Sequence, residues 1–381
     1  MTPTRSTDRI LTTHVGSLPR PAELRELLVA RNAGEPADDP AFEALVRSSV
    51  GAVVRRQVDA GIDLVSDGEF SKFAYSTYTK ERLSGIGGLS EPREQPLDVQ
   101  DFPAYAARSA SNWGRLPLCE GPLAIKDRRP LARDLRNFGE AVAAATPTGT
   151  FLTTASPGLT ASFIQNAYYK THEDYLAALV NVLREEYEAI IAAGFNIQLD
   201  CPDLASAKNN AYARLPADEF VRRQGLAVEA INAATANIAP DRMRMHVCWG
   251  NYEGPHHRDV PFESVLPIAI KARPAAILFE GANPRHEHEW TTFKTFRLPD
   301  DKVLVPGVID STTNFIEHPE VVAQRILRYA EVVGKERVVA GVDCGFGTSA
   351  TSGTVDADIA WAKLGSLVEG ARLASERLWK K

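Results

Sequence analysis

The stretch MRMHVCWG, residues 243–250, begins with a short apolar run and ends with side chains that can bind a metal. Short apolar, β-branched runs of this kind recur along the chain and alternate with helical patterns, which is typical of βα units in a parallel sheet. The clearest helical patterns lie at residues 175–193, 216–236, 319–333 and 357–378. We predict eight strands, at residues 10–15, 62–66, 150–153, 196–200, 243–248, 276–280, 303–308 and 338–342.

The number of predicted strands indicates the fold class. Eight strands that alternate with helices favour an α/β fold of the (β/α)8 TIM-barrel class over an open doubly wound sheet. No domain linker appears, so residues 1–381 are predicted to form a single catalytic domain. Segment 84–148 is rich in Gly, Pro and Arg and does not fit the repeat. We predict that it is an inserted loop region over the C-terminal rim, either a lid or a plain surface excursion.

Composition excludes several classes of function. The chain has 43 Lys plus Arg against 49 Asp plus Glu and no dense basic run, so we expect no nucleic-acid partner. Charged residues interrupt the apolar stretches and the N-terminus lacks a signal-peptide core, so we expect no membrane span and a cytoplasmic location. Four cysteines are too few for a disulfide framework in a chain of this length. They are therefore candidates for metal or nucleophilic chemistry.

Polar side chains follow nearly every predicted strand, at the end where barrel enzymes place their active sites. Polar residues often begin loops, but so many groups able to ionise or bind metal at one rim indicate a functional site. The residues at the C-terminal ends of the predicted strands are Gly16, Ser17, Asp67, Glu69, Asp200, Cys201, His246, Cys248, Glu280, Asp310, Asp343 and Cys344.

Four of these residues form a candidate zinc site. His246 and Cys248 are two apart on a strand, so both side chains leave the same face. Such a pair alone is more often simply packed, but Glu280 and Cys344 offer two further ligands at matching strand ends. Nitrogen, sulfur and oxygen ligands together suit Zn²⁺. Glu280, as the weakest ligand, is a catalytic candidate that yields its place to a substrate thiol, and Asp310 is a second, which either orients a ligand histidine or caps the next helix.

Ordered motifs along nearly the whole chain carry a family resemblance. They are TTHVGSLPRP at 12–21, VSDGE at 65–69, QLDCP at 198–202, HVC at 246–248, FEGAN at 279–283, PGVID at 306–310 and DCG at 343–345. With these motifs the chain resembles the C-terminal catalytic barrel of cobalamin-independent methionine synthase. The resemblance implies the same four zinc ligands, His246, Cys248, Glu280 and Cys344. It also implies homocysteine contacts at the backbone of Val15, Gly16 and Ser17 and at the acids Glu69 and Asp200.

The half of the family pattern that contacts the methyl donor is changed. The folate-contacting Arg-Cys pair appears as Leu118 and Cys119, and the stacking tryptophan falls at Phe163. A pterin-contacting glutamate corresponds to Ser206, and the histidine that donates a proton corresponds to Thr312. The resemblance therefore implies that the thiol and metal half is kept while the folate half is rewritten.

The predicted function is zinc-dependent S-alkylation of a thiol, most specifically methyl transfer to homocysteine. An alternative is an epoxyalkane:coenzyme M transferase (2-hydroxyalkyl-coenzyme M lyase), which opens epoxides, and an alternative of another class is a non-catalytic protein with a structural zinc. The acids Glu69 and Asp200 favour an aminothiol over coenzyme M, which has no amine. The expected partners are a small thiol (homocysteine or coenzyme M), an alkyl donor and, in a homo-oligomer, further copies of the chain.

Two other histidine-rich segments are predicted to be solvated. GPHHRD at 254–259 is interpreted as a solvated loop, with anion binding as the alternative. HEHEW at 286–290 resembles a metal motif in composition but lies in a predicted loop after Pro284, so we predict a surface turn.

Overall fold

Nine strands occur in the computed structural model, which describes residues 5–35, 39–76, 78–109, 114–351 and 353–380. In chain order they are β1 (Leu64–Val65), β2 (Leu83–Gly87), β3 (Leu118–Ile125), β4 (Gly149–Ala155), β5 (Gln165–Asn166), β6 (Asn196–Asp200), β7 (Met243–Val247), β8 (Ala276–Phe279) and β9 (Val303–Pro306). Six of them form one parallel sheet in the order β1-β4-β6-β7-β8-β9. The other three, β2, β3 and β5, form a separate small sheet.

Two further chain segments close the parallel sheet into a barrel. Thr13 forms a parallel bridge with Leu64 of β1, and Thr12 forms one with Ala340. On the other side, Leu304 of β9 bridges Val338. All eight predicted strand positions therefore lie side by side in a ring, and the prediction of a (β/α)8 barrel is confirmed. The segments at 10–15 and 338–342 pair through isolated bridges and not through a regular ladder.

The helices lie between these strands in the chain. Thr171 caps the start of α8, where its side-chain oxygen accepts a hydrogen bond from the Asp174 N–H at 3.0 Å. The helices are α1 (Ala22–Asn32), α2 (Asp39–Asp59), α3 (Thr79–Arg82), α4 (Leu97–Gln100), α5 (Pro103–Ser109), α6 (Arg129–Ala145), α7 (Pro157–Phe163), α8 (His172–Ala192), α9 (Ala217–Ala234), α10 (Phe262–Ala269), α11 (Pro319–Val333) and α12 (Ala357–Trp379).

Helix α8 illustrates how the sequence pattern packs on the barrel. Its buried residues Leu176, Leu179, Val180 and Leu183 recur at helical spacing and form one apolar face. In the adjacent strand β6, the apolar residues Ile197 and Leu199 are fully buried. No helix in the described part of the chain combines the length and apolar character needed to cross a membrane.

The predicted insertion, residues 84–148, contains two different parts. The first part holds the antiparallel pair β2–β3 and the short helices α4 and α5, and we call residues 83–125 the excursion. The second part is α6, an ordinary barrel helix that follows in the chain before β4. Phe138 of α6 is fully buried and its ring lies 4.7 Å from that of Phe195. Because α6 also carries several arginines, its apolar face is difficult to recognise from the sequence.

Candidate metal centre

His246, Cys248 and Cys344 form a buried cluster at the C-terminal rim of the barrel. Their ligand atoms, one imidazole nitrogen and two sulfurs, all lie within 4.8 Å of one another. His246 belongs to β7 and Cys248 follows directly, so strand alternation directs both side chains to the same side. Cys344 comes from the segment after the last barrel position, which lies next to residues 12–13 in the ring.

The three side chains of the cluster shift one another's pKa values. A hydrogen bond from Cys344 lowers the pKa of the Cys248 thiol, and the same contact, with burial, raises the pKa of Cys344 well above its ordinary value. Burial lowers the pKa of His246, but the Cys248 thiolate and Asp200 outweigh it and raise that pKa to about 9. The cluster thus holds protons that a bound cation displaces. Its imidazole and two sulfurs fit Zn²⁺.

Glu280 lies at the end of β8, beside this cluster. Its charge acts on both cysteine sulfurs, but it is not one of the three residues whose ligand atoms are mutually close. Its Oε1 accepts a hydrogen bond from the backbone N–H of Trp249 at 2.7 Å, and its Oε2 accepts one from Asn283 Nδ2 at 2.6 Å. The carboxylate is therefore held in a fixed orientation next to the cluster.

Asp343 connects Glu280 and His246, a role that the sequence analysis did not assign. Its carboxylate accepts hydrogen bonds at 2.8–2.9 Å from three consecutive backbone N–H groups, residues 281–283, directly after Glu280. Its carbonyl oxygen lies 3.2 Å from His246 Nε2. In a neutral imidazole this contact requires the proton on Nε2, so the lone pair for a metal is on Nδ1. In the sequence, the DCG motif at 343–345 was the signal that could have indicated this role of Asp343.

Glu69 carries an unpaired carboxylate oxygen in a buried position. Its Oε1 accepts a hydrogen bond from Thr153 Oγ1 at 2.9 Å, whereas Oε2 is buried without a hydrogen-bond partner among the described residues. Burial raises the pKa of Glu69 to about 7, with Lys72 acting in the opposite direction and Asp200 reinforcing the shift. Glu69 also has a φ of 60°, which is uncommon outside glycine. A buried oxygen without a partner can accept a hydrogen bond from a bound ligand or from a water molecule.

Asp200, at the end of β6, faces the same space. Its Oδ1 lies 2.8 Å from Gln198 Nε2, which donates to it, and 3.7 Å from His246 Nδ1. One small pocket brings together the predicted thiol-binding and metal-binding side chains, with the exception of Gly16 and Glu280. Among its lining residues are Val15, Ser17, Glu69, Asp200, His246, Cys248 and Cys344.

The backbone groups at residues 15–17 are already engaged within the protein. The Val15 carbonyl accepts a hydrogen bond from Gln198, and the Gly16 N–H donates to His14 Nδ1 at 3.1 Å. Gly16 has a φ of 134°, and a Cβ there would come within 2.3 Å of Thr153 Cγ2. These residues therefore shape the floor of the pocket, and glycine is required at position 16.

Asp310 is not brought into the pocket. Its Oδ1 accepts hydrogen bonds from the N–H and hydroxyl of Thr312, and its Oδ2 accepts from the N–H and hydroxyl of Thr313. The carboxylate thus organises its own loop. It contacts neither His246 nor the start of α11.

A larger cavity of about 470 Å³ opens directly above the metal cluster. Cys248, Cys344 and Tyr75 line both this cavity and the small pocket. The excursion supplies one wall through Arg93, Pro96, Val99 and Tyr105. Of the residues that depart from the folate pattern, Phe163 and Ser206 line the cavity, whereas Leu118, Cys119 and Thr312 do not.

The prediction that HEHEW is a solvated turn is wrong for His286. This residue is buried, its ring packs at a tilt against that of Trp249 with 4.2 Å between centroids, and its Nδ1 lies 2.9 Å from Glu289 Oε2. The burial depends on Trp249, a contact distant in sequence. In the GPHHRD loop, His257 and Arg258 are exposed, as predicted, and both pair with Asp101 of the excursion.

Comparison with known proteins agrees with this geometry. The model of the family described as cobalamin-independent synthase, catalytic domain, matches residues 10–371. The chain belongs to this family. Relatives within reach of sequence comparison include proteins named methionine synthase from two archaea. The one from Sulfolobus acidocaldarius is 27% identical over 373 residues, which cover 97% of this chain and 94% of the relative. The one from Saccharolobus solfataricus is 25% identical over 376 residues, which cover 97% of this chain and 96% of the relative.

A solved structure of the cobalamin-independent family shares the fold. It is a B12-independent methionine synthase from Shewanella sp. W3-18-1 in complex with selenomethionine, with a TM-score of 0.73 and 20% identity. The match covers 97% of this chain and 99% of that chain. At this identity the likeness supports the barrel architecture.

Proposed function

We propose that this chain is a zinc-dependent thiol S-alkyltransferase that methylates homocysteine. One observation carries the proposal: the buried His246, Cys248 and Cys344 share a pocket with Glu69, whose Oε2 is buried without a hydrogen-bond partner among the described residues. A site of this composition can receive the sulfur and the ammonium of one aminothiol together. The matched archaeal proteins are named methionine synthase, which agrees with that substrate.

The residues present fit a zinc ion. His246, Cys248 and Cys344 would hold it, and we propose Glu280 as the fourth ligand because its charge already acts on both sulfurs. Zinc bound there supplies a Lewis acid that lowers the pKa of a substrate thiol into the neutral range. Asp343 orients His246 through its carbonyl and fixes the loop after Glu280 through its carboxylate.

The acids in the pocket bind and orient the substrate amine. Glu69 Oε2 and the Asp200 carboxylate accept charge-assisted hydrogen bonds from the ammonium group, while residues 15–17 shape the floor beneath it. The alkyl donor enters the cavity of about 470 Å³, where the cysteines form the base. A catalytic role for Asp310 remains a prediction. Asp310 would exert such a role by fixing the conformation of its own loop.

Two alternatives fit less well. Coenzyme M carries no amine, so it would leave Glu69 Oε2 without a donor and place a sulfonate near two carboxylates. A structural zinc is normally enclosed by its ligands, whereas Cys248 and Cys344 here line an accessible cavity.

X-ray absorption at the zinc edge tests the proposed function directly. Addition of homocysteine to the zinc-loaded protein should add one sulfur to the first coordination shell. A response to coenzyme M and not to homocysteine, with activity on epoxides, would favour the first alternative. A shell that no thiol changes would establish a structural zinc.

We also propose that the excursion closes the donor cavity and that Asp98 holds it in place. Asp98 is fully buried in α4, and its Oδ2 accepts hydrogen bonds from the Tyr252 hydroxyl at 2.5 Å and from the His256 N–H at 2.8 Å. Both partners lie in the loop after β7, the strand that carries the metal ligands. The more exposed Asp101 pairs with Arg258 of the same loop.

Asp98→Ala should raise the apparent KM for the methyl donor severalfold and leave homocysteine binding close to that of the parent. The substitution leaves the Tyr252 hydroxyl and the His256 N–H without their acceptor, which costs about 1–3 kcal/mol. This cost weakens the attachment of the excursion and leaves the metal cluster unchanged. Steady-state kinetics with each substrate varied in turn measures this. Asp101→Asn, on the exposed side of the same contact, is the matched control and should have a smaller effect. Equal losses for donor and thiol would contradict the lid role.

A further inference from the structure

We infer that Gln198 and Arg244 are positioning residues that aim the Asp200 carboxylate at the amine of the substrate and hold the Val15 carbonyl in the floor of the pocket. The inference rests on the proposed function, because it concerns how the aminothiol pocket achieves its preference for an amine. Neither residue lines the pocket. Both lie below it in the interior of the barrel, in β6 and β7.

Gln198 is fully buried and its amide orientation is determined by its partners. Its Nε2 donates to Asp200 Oδ1 at 2.8 Å and to the Val15 carbonyl oxygen. Its Oε1 accepts a hydrogen bond from Arg244 Nε at 2.8 Å. Because a guanidinium only donates, the amide oxygen must face Arg244, so the NH2 group must face Asp200 and Val15.

Arg244 is fixed from three sides. Its Nη1 donates to Thr13 Oγ1 at 2.9 Å and its Nη2 donates to the His14 carbonyl at 2.6 Å. Its guanidinium carbon lies 3.9 Å from the centre of the Phe151 ring. Among the described residues no carboxylate lies within ion-pair distance of this buried cation, and Asp200 is the acid whose charge acts on it.

The arrangement explains how two acids can share one small pocket. Asp200 and Glu69 repel each other, which is visible in the contribution of Asp200 to the raised pKa of Glu69. Arg244 places a positive charge on the interior side of the pocket and donates a hydrogen bond to the amide oxygen of Gln198. The amide nitrogen of Gln198 in turn donates a hydrogen bond to Oδ1 of Asp200. The second oxygen of Asp200 is then left to accept a hydrogen bond from the pocket side, where directional contact to an ammonium gives selectivity.

Gln198→Met tests the inference, because it removes both donated hydrogen bonds at similar side-chain volume. Zinc-loaded parent and variant are titrated by calorimetry with homocysteine and with 4-mercaptobutanoate, which has the same thiol and carboxylate but no amine. We expect the Kd for homocysteine to rise about tenfold and the Kd for 4-mercaptobutanoate to change less than about twofold. Zinc content should remain at the level of the parent.

Arg244→Lys is a second variant in case Gln198→Met does not fold, since it keeps the buried charge and loses the fork of donors. It should reduce the same preference. Arg242→Met is the matched control: Arg242 also donates to an amide oxygen, that of Asn196, and to a backbone carbonyl, but at the opposite end of β6 and β7. It should leave the preference unchanged.

Three outcomes are distinguishable. A selective loss for homocysteine in Gln198→Met or Arg244→Lys supports the positioning role. Unchanged binding, or equal losses for both thiols, overturns it and shows that the two residues are only structural. If the parent itself does not prefer homocysteine over 4-mercaptobutanoate, the proposed aminothiol substrate is wrong, and the inference falls with it.

Discussion

Cys248→Ser and Cys344→Ser should each lose most of the bound zinc and with it the activity. Both sulfurs lie within the 4.8 Å cluster, and a hydroxyl is a poor ligand for zinc compared with a thiolate. Metal analysis of the purified variants measures the effect. Cys119→Ser is the matched control, because Cys119 is equally buried but lies in β3, outside the cluster, and it should keep the metal content of the parent.

Glu280→Gln should behave differently from the two cysteine variants. Glu280 lies beside the cluster and is held by Trp249 and Asn283, so a glutamine can keep the shape of the site. The remaining imidazole and two thiolates form a three-ligand set of the kind that catalytic zinc uses. Much of the metal should therefore stay. If Cys248→Ser and Cys344→Ser kept a full equivalent of zinc and normal turnover, the metal-centred proposal would be wrong.

Glu69→Gln and Asp200→Asn should each weaken homocysteine binding by about tenfold or more. Each removes one negative charge that faces the substrate ammonium, and a charge-assisted hydrogen bond is worth about 1.5–3 kcal/mol. Calorimetric titration measures the affinities. A thiol without an amine serves as the control ligand and should bind both variants as well as the parent. Homocysteine affinities equal to that of the parent would instead favour the coenzyme M alternative.

The pKa of Glu69 gives this pair a pH dependence with a definite sign. Burial raises that pKa to about 7, so Glu69 is neutral below this pH and charged above it. Homocysteine affinity should fall as the pH decreases through about 7, because the neutral acid loses its charge contact with the ammonium. The affinity for 4-mercaptobutanoate, which has no amine, should depend less on pH than the affinity for homocysteine. This difference between the two ligands should disappear in Glu69→Gln.

The barrel and the cluster of His246, Cys248 and Cys344 could be predicted because they depend on local pattern. Each strand is a short apolar run, and polar groups at strand ends meet at one rim in this fold. His246 and Cys248 are two apart on a strand, which specifies their common direction without any tertiary information. The segments at 10–15 and 338–342 pair through isolated bridges and not through a regular ladder, yet both could be recognised in the sequence. Their apolar residues are buried in the barrel, and this does not depend on regular hydrogen bonding.

What could not be predicted depends on contacts between distant segments. Arg244 looks like an interruption of an apolar strand until Gln198, Thr13 and His14 are seen around its guanidinium. His286 looks exposed in sequence because its cover, Trp249, comes from another loop. The limits of the excursion were also hidden, since the buried Phe138 of α6 stands among arginines that suggest a surface loop.

The bridge between Thr12 and Ala340 means that the pocket is assembled from the two ends of the described chain. Residues 15–17 are translated before His246 and Cys248, and Cys344 is translated after them. A nascent chain that already contains His246 and Cys248 therefore exposes an incomplete soft-metal half-site. The proposed metal site is therefore complete only after Cys344 has been translated, and a chain truncated before Cys344 would lack one of the three clustered side chains.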